Sequence, residues 1–184
     1  HLEKQTGQPL FTFIHYLDVH SDTARLPYDS PPPYNNLFSG WYGGDFKGGE
    51  GDIVASQYLG YLNKEQITLR PDDLNYIISL YDNGIAYMDK CLGDLFALLQ
   101  EMGLYEDALI ILTADHGEEF QEHGFMAHGF NPYYHEESVR VPLIIKLPKG
   151  GYDDVRRGTA VGALAESIDI MPTIMELLSI EGPP

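Results

Sequence analysis

Between Pro71 and Met102 apolar side chains recur every three or four residues, at Ile77, Tyr81, Ile85, Met88, Leu92, Leu95, Leu99 and Met102. That spacing lines one face of a helix and predicts a single long amphipathic helix. Pro71 suits its first turn, Asp72 and Asp73 complement the positive end of its dipole, and Gly103 stands where it should stop. Directly afterwards, Ala108 to Ala114 forms a short unbroken apolar run, the pattern of a parallel strand covered on both faces. A helix feeding a buried strand predicts an α/β architecture, a largely buried mixed β-sheet flanked by helices.

Other segments extend that plan. Leu10 to Val19, rich in β-branched and aromatic residues, reads as a largely buried strand that ends on the polar Asp18-Val19-His20. Ser21 to Gly51 is too rich in Pro, Gly, Tyr and Asn for long regular elements, and reads as a packed surface excursion of the kind that often carries function. A strand is expected at Val141 to Leu147 and a final helix at about Ile168 to Leu178, with Pro172 early in it. At 184 residues, the default is one domain over residues 1–184. The first residue is His1 and the last two are Pro183-Pro184, so the chain is expected to be part of something longer.

Eleven Lys plus Arg against 28 Asp plus Glu give a formal charge of −17. Such a surface repels nucleic-acid phosphates and anionic headgroups, so no nucleic-acid partner is expected. The apolar runs fall far short of the ~20 residues of a membrane span, and no membrane contact is expected from this region. No targeting segment is seen, which leaves periplasmic, secreted and cytoplasmic locations all open, and the oligomeric state is equally open. An acidic chain that handled a small anionic substrate would need a bound cation or clustered His and Lys to compensate locally. The single Cys91 excludes an internal disulfide and reads as a small core residue of the helix.

The densest chemistry lies in Thr113 to Gly129, where three histidines and several carboxylates follow the apolar run. In open α/β sheets ligands bind at the carboxyl ends of strands, so Asp115 and His116 stand where a site is expected. Neighbouring strand residues point to opposite faces, and Gly117 would let the backbone turn so that both reach one centre. A carboxylate beside an imidazole is a plausible metal pair. The zinc-protease pattern is absent, because His135-Glu136-Glu137-Ser138-Val139 lacks the second His. An EF-hand at Asp18 fails because Thr23 stands where the loop needs Gly.

Five blocks, in order, resemble the sulfatases of the alkaline phosphatase superfamily: Tyr16 to His20 ahead of a Pro-Tyr, Tyr81-Asp82 to Gly93, Thr113 to Gly117, His135 to Pro142, and Ser167 to Leu178. The resemblance implies an alkaline-phosphatase-like fold, present as the C-terminal portion of the catalytic domain. It implies that Asp115 and His116 hold a divalent cation, Ca²⁺ foremost and Mn²⁺ as the other candidate. It further implies that His20 and His128 contact the anionic group of a small sulfate or phosphate ester. His15 alternates away from that centre; His123 and His135 match no family ligand; Glu118, Glu119 and Glu122 read as a solvated acidic face, and Glu136, Glu137 and Arg140 as structural pairs.

In that family the nucleophile is a formylglycine made within a Cys/Ser-x-Pro-x-Arg motif, and no such motif occurs here. The expected activity is therefore sulfate-ester hydrolysis through a nucleophile outside this chain, with the chain by itself inactive. Phosphodiester or phosphonate hydrolysis and phosphoethanolamine or glycerophosphate transfer share much of the same pattern. A non-catalytic binding module is the reading from a different class.

Overall fold

The computed structural model describes residues 9–21, 26–44, 46, 55–150, 152 and 158–181. The chain is mixed α/β, as its patterning predicts. Helix α1, Ala55–Lys64, turns Ala55, Leu59 and Leu62 inward. Helix α2, Pro71–Glu101, is the long periodic segment: Pro71 opens it, and Gly103 at φ 66° follows its end. There Gly103 N–H donates to Gln100 O at 2.9 Å and Leu104 N–H to Leu99 O at 2.8 Å, which satisfies carbonyls the helix leaves over.

Only the first half of α2 is buried. Ile77 and Leu80 pack with Leu59 and Leu62 of α1 and with Tyr28, Phe46, Met126 and Ala127 into one core. Further along, Ile85 and Leu98 are exposed and Cys91 is half-buried, so the stripe outruns the surface that covers it among the described residues. The described part of the excursion is packed, as expected. Asn83 of α2, fully buried, accepts from Phe38 N–H at 2.9 Å and donates to Ser39 Oγ at 3.1 Å, and a 3-10 turn at Tyr34–Asn36 rests on the same helix. The rest of that excursion, residues 22–25, 45 and 47–51, lies outside the described residues.

The apolar run after α2 forms strand β1, Ile110–Thr113. A two-residue strand β2, Glu119–Phe120, pairs antiparallel with β3, Met126–Ala127, placing Glu119 opposite Ala127. A short helix α3, Glu136–Val139, leads to strand β4, Leu143–Lys146. Strand β4 pairs with β1 antiparallel, Ile110 opposite Lys146 and Thr113 opposite Leu143. A 3-10 turn at Ser167–Asp169 then leads into helix α4, Ile170–Leu177, close to the expected final helix.

Two expectations need correction. Strand β1 has an antiparallel neighbour, and β4 leaves Leu143, Ile144 and Ile145 exposed, so the sheet is not covered on both faces here. Leu10 to Val19 carries no strand, and Leu10, Phe11, Phe13, Ile14 and Leu17 are exposed. The physical reason is common to both: composition selects an extended backbone, but a ladder and its direction require a neighbouring strand, which local sequence does not specify.

Candidate metal and anion site

Three separate elements deliver the site's imidazoles. Ahead of His20 the chain turns through a hydrogen bond from His20 N–H to Leu17 O at 3.0 Å. This turn lies on α2 at the buried Gly84, where a Cβ would stand 3.1 Å from the Asp18 carbonyl oxygen. His116 follows β1 and is anchored by its neighbour, since Gly117 N–H donates to Ser138 O at 2.8 Å. A Cβ on Gly117 would collide with the Glu137 carbonyl oxygen, so the glycine permits close approach of two backbones; its φ is not in the left-handed region.

His128 follows β3, and α1 positions that strand. The buried Asn63 accepts from Met126 N–H at 2.7 Å and donates to Met126 O at 2.8 Å. One side-chain amide thus takes the place of a neighbouring strand. Gln121 does the same for the residues after α1, accepting from Leu69 N–H at 2.9 Å and donating to Ile67 O at 2.8 Å.

One ring nitrogen from each of His20, His116 and His128 lies within 4.8 Å of the other two, and all three residues are half-buried. The His116 and His128 rings stack with centroids 3.7 Å apart, while His20 meets them edge-on at 6.2 and 4.9 Å. A cavity of about 150 Å³ opens beside His20 and His128, lined also by Ser21, Ser56, Ala127 and Phe130. His116 Nδ1 lies 2.8 Å from Gly117 O, and His128 Nδ1 lies 3.0 Å from Glu118 Oε1. These acceptors favour a proton on Nδ1, which leaves each Nε2 as the donor to a metal or anion.

Asp115 stands at the outer side. Its carboxylate accepts from His116 N–H at 3.2 Å and lies 3.7 Å from His116 Nε2, with the side chain 72% exposed. Desolvation is the largest single influence and raises its pKa, but hydrogen bonds from its own and the His116 backbone N–H together with the charge of His116 outweigh it and leave the carboxyl below the usual range. The four residues expected at the site are therefore neighbours: three imidazoles converge, and the carboxylate flanks one of them. This donor set fits a divalent cation, and by its chemistry fits a transition ion better than Ca²⁺, which takes about six to eight oxygens.

The acidic residues after Gly117 are not one solvated face. Glu118 is a buried partner of His128, its side chain 6% exposed. Glu119 is buried and accepts from Asn131 Nδ2 at 3.0 Å. Glu122 alone is exposed, accepting from Phe120 N–H at 2.6 Å. A hairpin reading of the sequence about Gly124 could have found the first pair, because the register that sets Glu119 against Ala127 sets Glu118 against His128. His15 is exposed. His123 and His135 stack on each other with centroids 3.5 Å apart, and His123 Nε2 lies 3.1 Å from Glu137 Oε2. Arg140 reaches Glu136 at 3.6 Å, an exposed pair one helical turn apart.

Histidines gathered behind an Asp-His step at the end of a β-strand, in a mixed α/β chain, make a candidate centre for a cation or an anion. The Sulfatase family model matches residues 1–180, and the chain belongs to that family. It is 29% identical over 199 residues to the multifunctional alkaline phosphatase superfamily protein PehA of Trinickia caryophylli, an alignment that takes in 100% of this chain and 37% of PehA. It is 30% identical to an N-acetylglucosamine-6-O-sulfatase of Bacteroides thetaiotaomicron over 52% of this chain and 16% of that protein. Lipoteichoic acid synthase 1 of Bacillus subtilis is 29% identical over 56% of this chain and 16% of its own length. The chain thus spans well under half the length of each of these relatives.

Proposed function

We propose that residues 1–184 are the C-terminal portion of the catalytic domain of a metal-dependent sulfatase that cleaves a small sulfate ester. The observation that carries this reading is the convergence of His20, His116 and His128 beside Asp115, directly after β1, in a chain of the Sulfatase family. Asp115 and His116 form the cation side, and His20 and His128 face the anionic group. A divalent cation bound there supplies Lewis-acid polarisation of an ester oxygen. The imidazoles add hydrogen bonds to charge that develops on the transferred group, and Glu118 keeps His128 oriented for that task. The nucleophile, a formylglycine, and the remaining cation ligands belong to a part of the protein outside this chain, which by itself is inactive.

A second reading, phosphodiester or phosphonate hydrolysis or phosphoethanolamine or glycerophosphate transfer, draws support from the similarity to PehA along the whole chain and from the lipoteichoic acid synthase. Imidazoles at positions 116 and 128, where many sulfatases carry Asn and Lys, suit it equally. The deciding experiment assays the full-length protein on an aryl sulfate and an aryl phosphodiester in parallel. Turnover of the sulfate ester, lowered by about 10²- to 10⁴-fold in His128→Ala, supports the first reading. Turnover of the phosphodiester alone replaces it with the second, and His128→Ala at full activity removes His128 from both.

A further inference from the structure

We propose that the cleft between residues 38–44 of the excursion and the first turns of α2 binds an uncharged sugar ring, with the indole of Trp41 as its stacking face. The cleft has a volume of about 520 Å³, within the ~300–1,000 Å³ of small-ligand sites. It shares no lining residue with the cavity at His20 and His128. The inference concerns binding alone and does not rest on the proposed reaction.

Three observations carry the assignment. The first is the indole. Trp41 is the chain's one Trp and is 92% exposed, yet a Cβ on Gly43 would collide with its ring, so the indole rests on the backbone there with most of its surface open. The second is a floor that is fixed in advance. The Tyr42 and Tyr76 rings stack in parallel with centroids 3.9 Å apart, and the Tyr42 hydroxyl is held by Asp73 and by Phe46 N–H, so no ordering cost falls on the ligand at that point. The third is the chemistry of the wall. Asn75, exposed on α2, offers both a donor and an acceptor, and the Ser79 hydroxyl, which donates to Tyr76 O at 2.6 Å, still has lone pairs to accept with. Arg70, the one cation among the described residues that line the cleft, is paired with Asp73 through Nε at 3.0 Å and Nη2 at 3.2 Å, and the exposed Asp72 adds a carboxylate beside it. The wall thus has no net positive charge for a sulfate or phosphate, and the guanidinium in it repels an alkylammonium. A sugar ring meets all three features: its C–H face lies on an indole, and its hydroxyls both donate and accept at the edge.

The test uses the full-length protein labelled with fluorotryptophan, in which the Trp41 fluorine resonance is the one lost in Trp41→Phe. Maltotriose, cellotriose and triacetylchitotriose, none of which carries a sulfate or phosphate, are titrated in, and affinities are read in parallel by calorimetry. The expected result is a saturable shift of the Trp41 resonance with at least one of the three. Trp41→Ala should weaken binding by about tenfold and Asn75→Ala by about two- to tenfold. Both side chains are exposed, so the melting temperature of each variant should match the parent. His128→Ala should bind the sugar as the parent does. Absence of a shift with all three sugars overturns the proposal, as does unchanged affinity in Trp41→Ala. Loss of binding in His128→Ala also overturns it, by placing the sugar at the imidazole centre. A Trp41 resonance that a soluble paramagnetic agent does not broaden would show another part of the protein filling the cleft, with the same consequence. Sugar bound as expected by a full-length protein that turns over neither ester sinks the proposed reaction and leaves this cleft standing.

Discussion

At the scale of single residues, Asn63 shows how a side chain can stand in for secondary structure. Its amide satisfies both the N–H and the carbonyl of Met126, two buried groups that a missing partner would leave at a cost of about 1–3 kcal/mol each. Asn63→Ala should therefore lower stability by at least about 1–3 kcal/mol in urea unfolding. The same change should disorder His128, which follows two residues after Met126, and an NMR titration of the histidine rings would register it. A variant as stable as the parent would mean that water replaces the amide. Glu118 belongs to the same scale: its type is plain in the sequence, but its role depends on facing His128 across a hairpin of two residues per strand.

At the scale of elements, α2 is a platform for the site as well as a core helix. Gly84→Ala would ordinarily favour a helix by about 1 kcal/mol. Here the added Cβ meets the Asp18 carbonyl oxygen at 3.1 Å and presses the turn that seats His20 off the helix. The expected outcome is unchanged or lower thermal stability together with weaker metal binding, and a gain in stability with full binding would show that the turn yields freely. Gly117→Ala is harsher, because its Cβ meets the Glu137 backbone; loss of metal binding together with a lower melting temperature is expected.

The excursion is tied to α2 by Tyr42, whose hydroxyl donates to Asp73 and accepts from Phe46 N–H at 2.8 Å. Burial, and then the bond to Asp73, push the Tyr42 pKa from 10.0 to about 12. A folded-state pKa above the unfolded one adds stability that is whole below about pH 10 and is lost as pH climbs to about 12. Tyr42→Phe should accordingly flatten part of the fall in urea stability over that window. Asp73 behaves oppositely: Arg70 and then Tyr42 hold its pKa down, so its contribution is present above the usual carboxylate range and is lost in acid.

At the scale of the whole molecule, much apolar surface remains open. Phe11, Phe13, Leu143, Ile144 and Ile145 are exposed among the described residues, and the C-terminal half of α2 carries more. Surfaces of this kind bind other apolar surfaces. The 20.7 kDa chain, prepared alone, should sediment in part as larger species, and Ile144→Glu should shift it toward the monomer. A parent chain that stays monomeric at high concentration would contradict this. The α/β class and the position of the long helix were legible because both follow from periodicity within one segment. Helix α1 escaped notice because ten residues after a Gly-rich stretch give too short a window for a period to stand out.

The sequence by itself determined what can be encoded within a few turns of chain. It set the span of α2 and its stop at Gly103, the run that becomes β1, the final helix, and the Asp-His step that marks the site. Only the tertiary structure decided that β1 meets β4 antiparallel, that Glu118 is buried against His128, and that three imidazoles from distant positions share one centre. The reason is that helical period and turn chemistry are local properties of the backbone. Strand partnership, close approach at Gly84 and Gly117, and convergence of side chains depend on contacts between residues far apart in sequence, which no local pattern specifies.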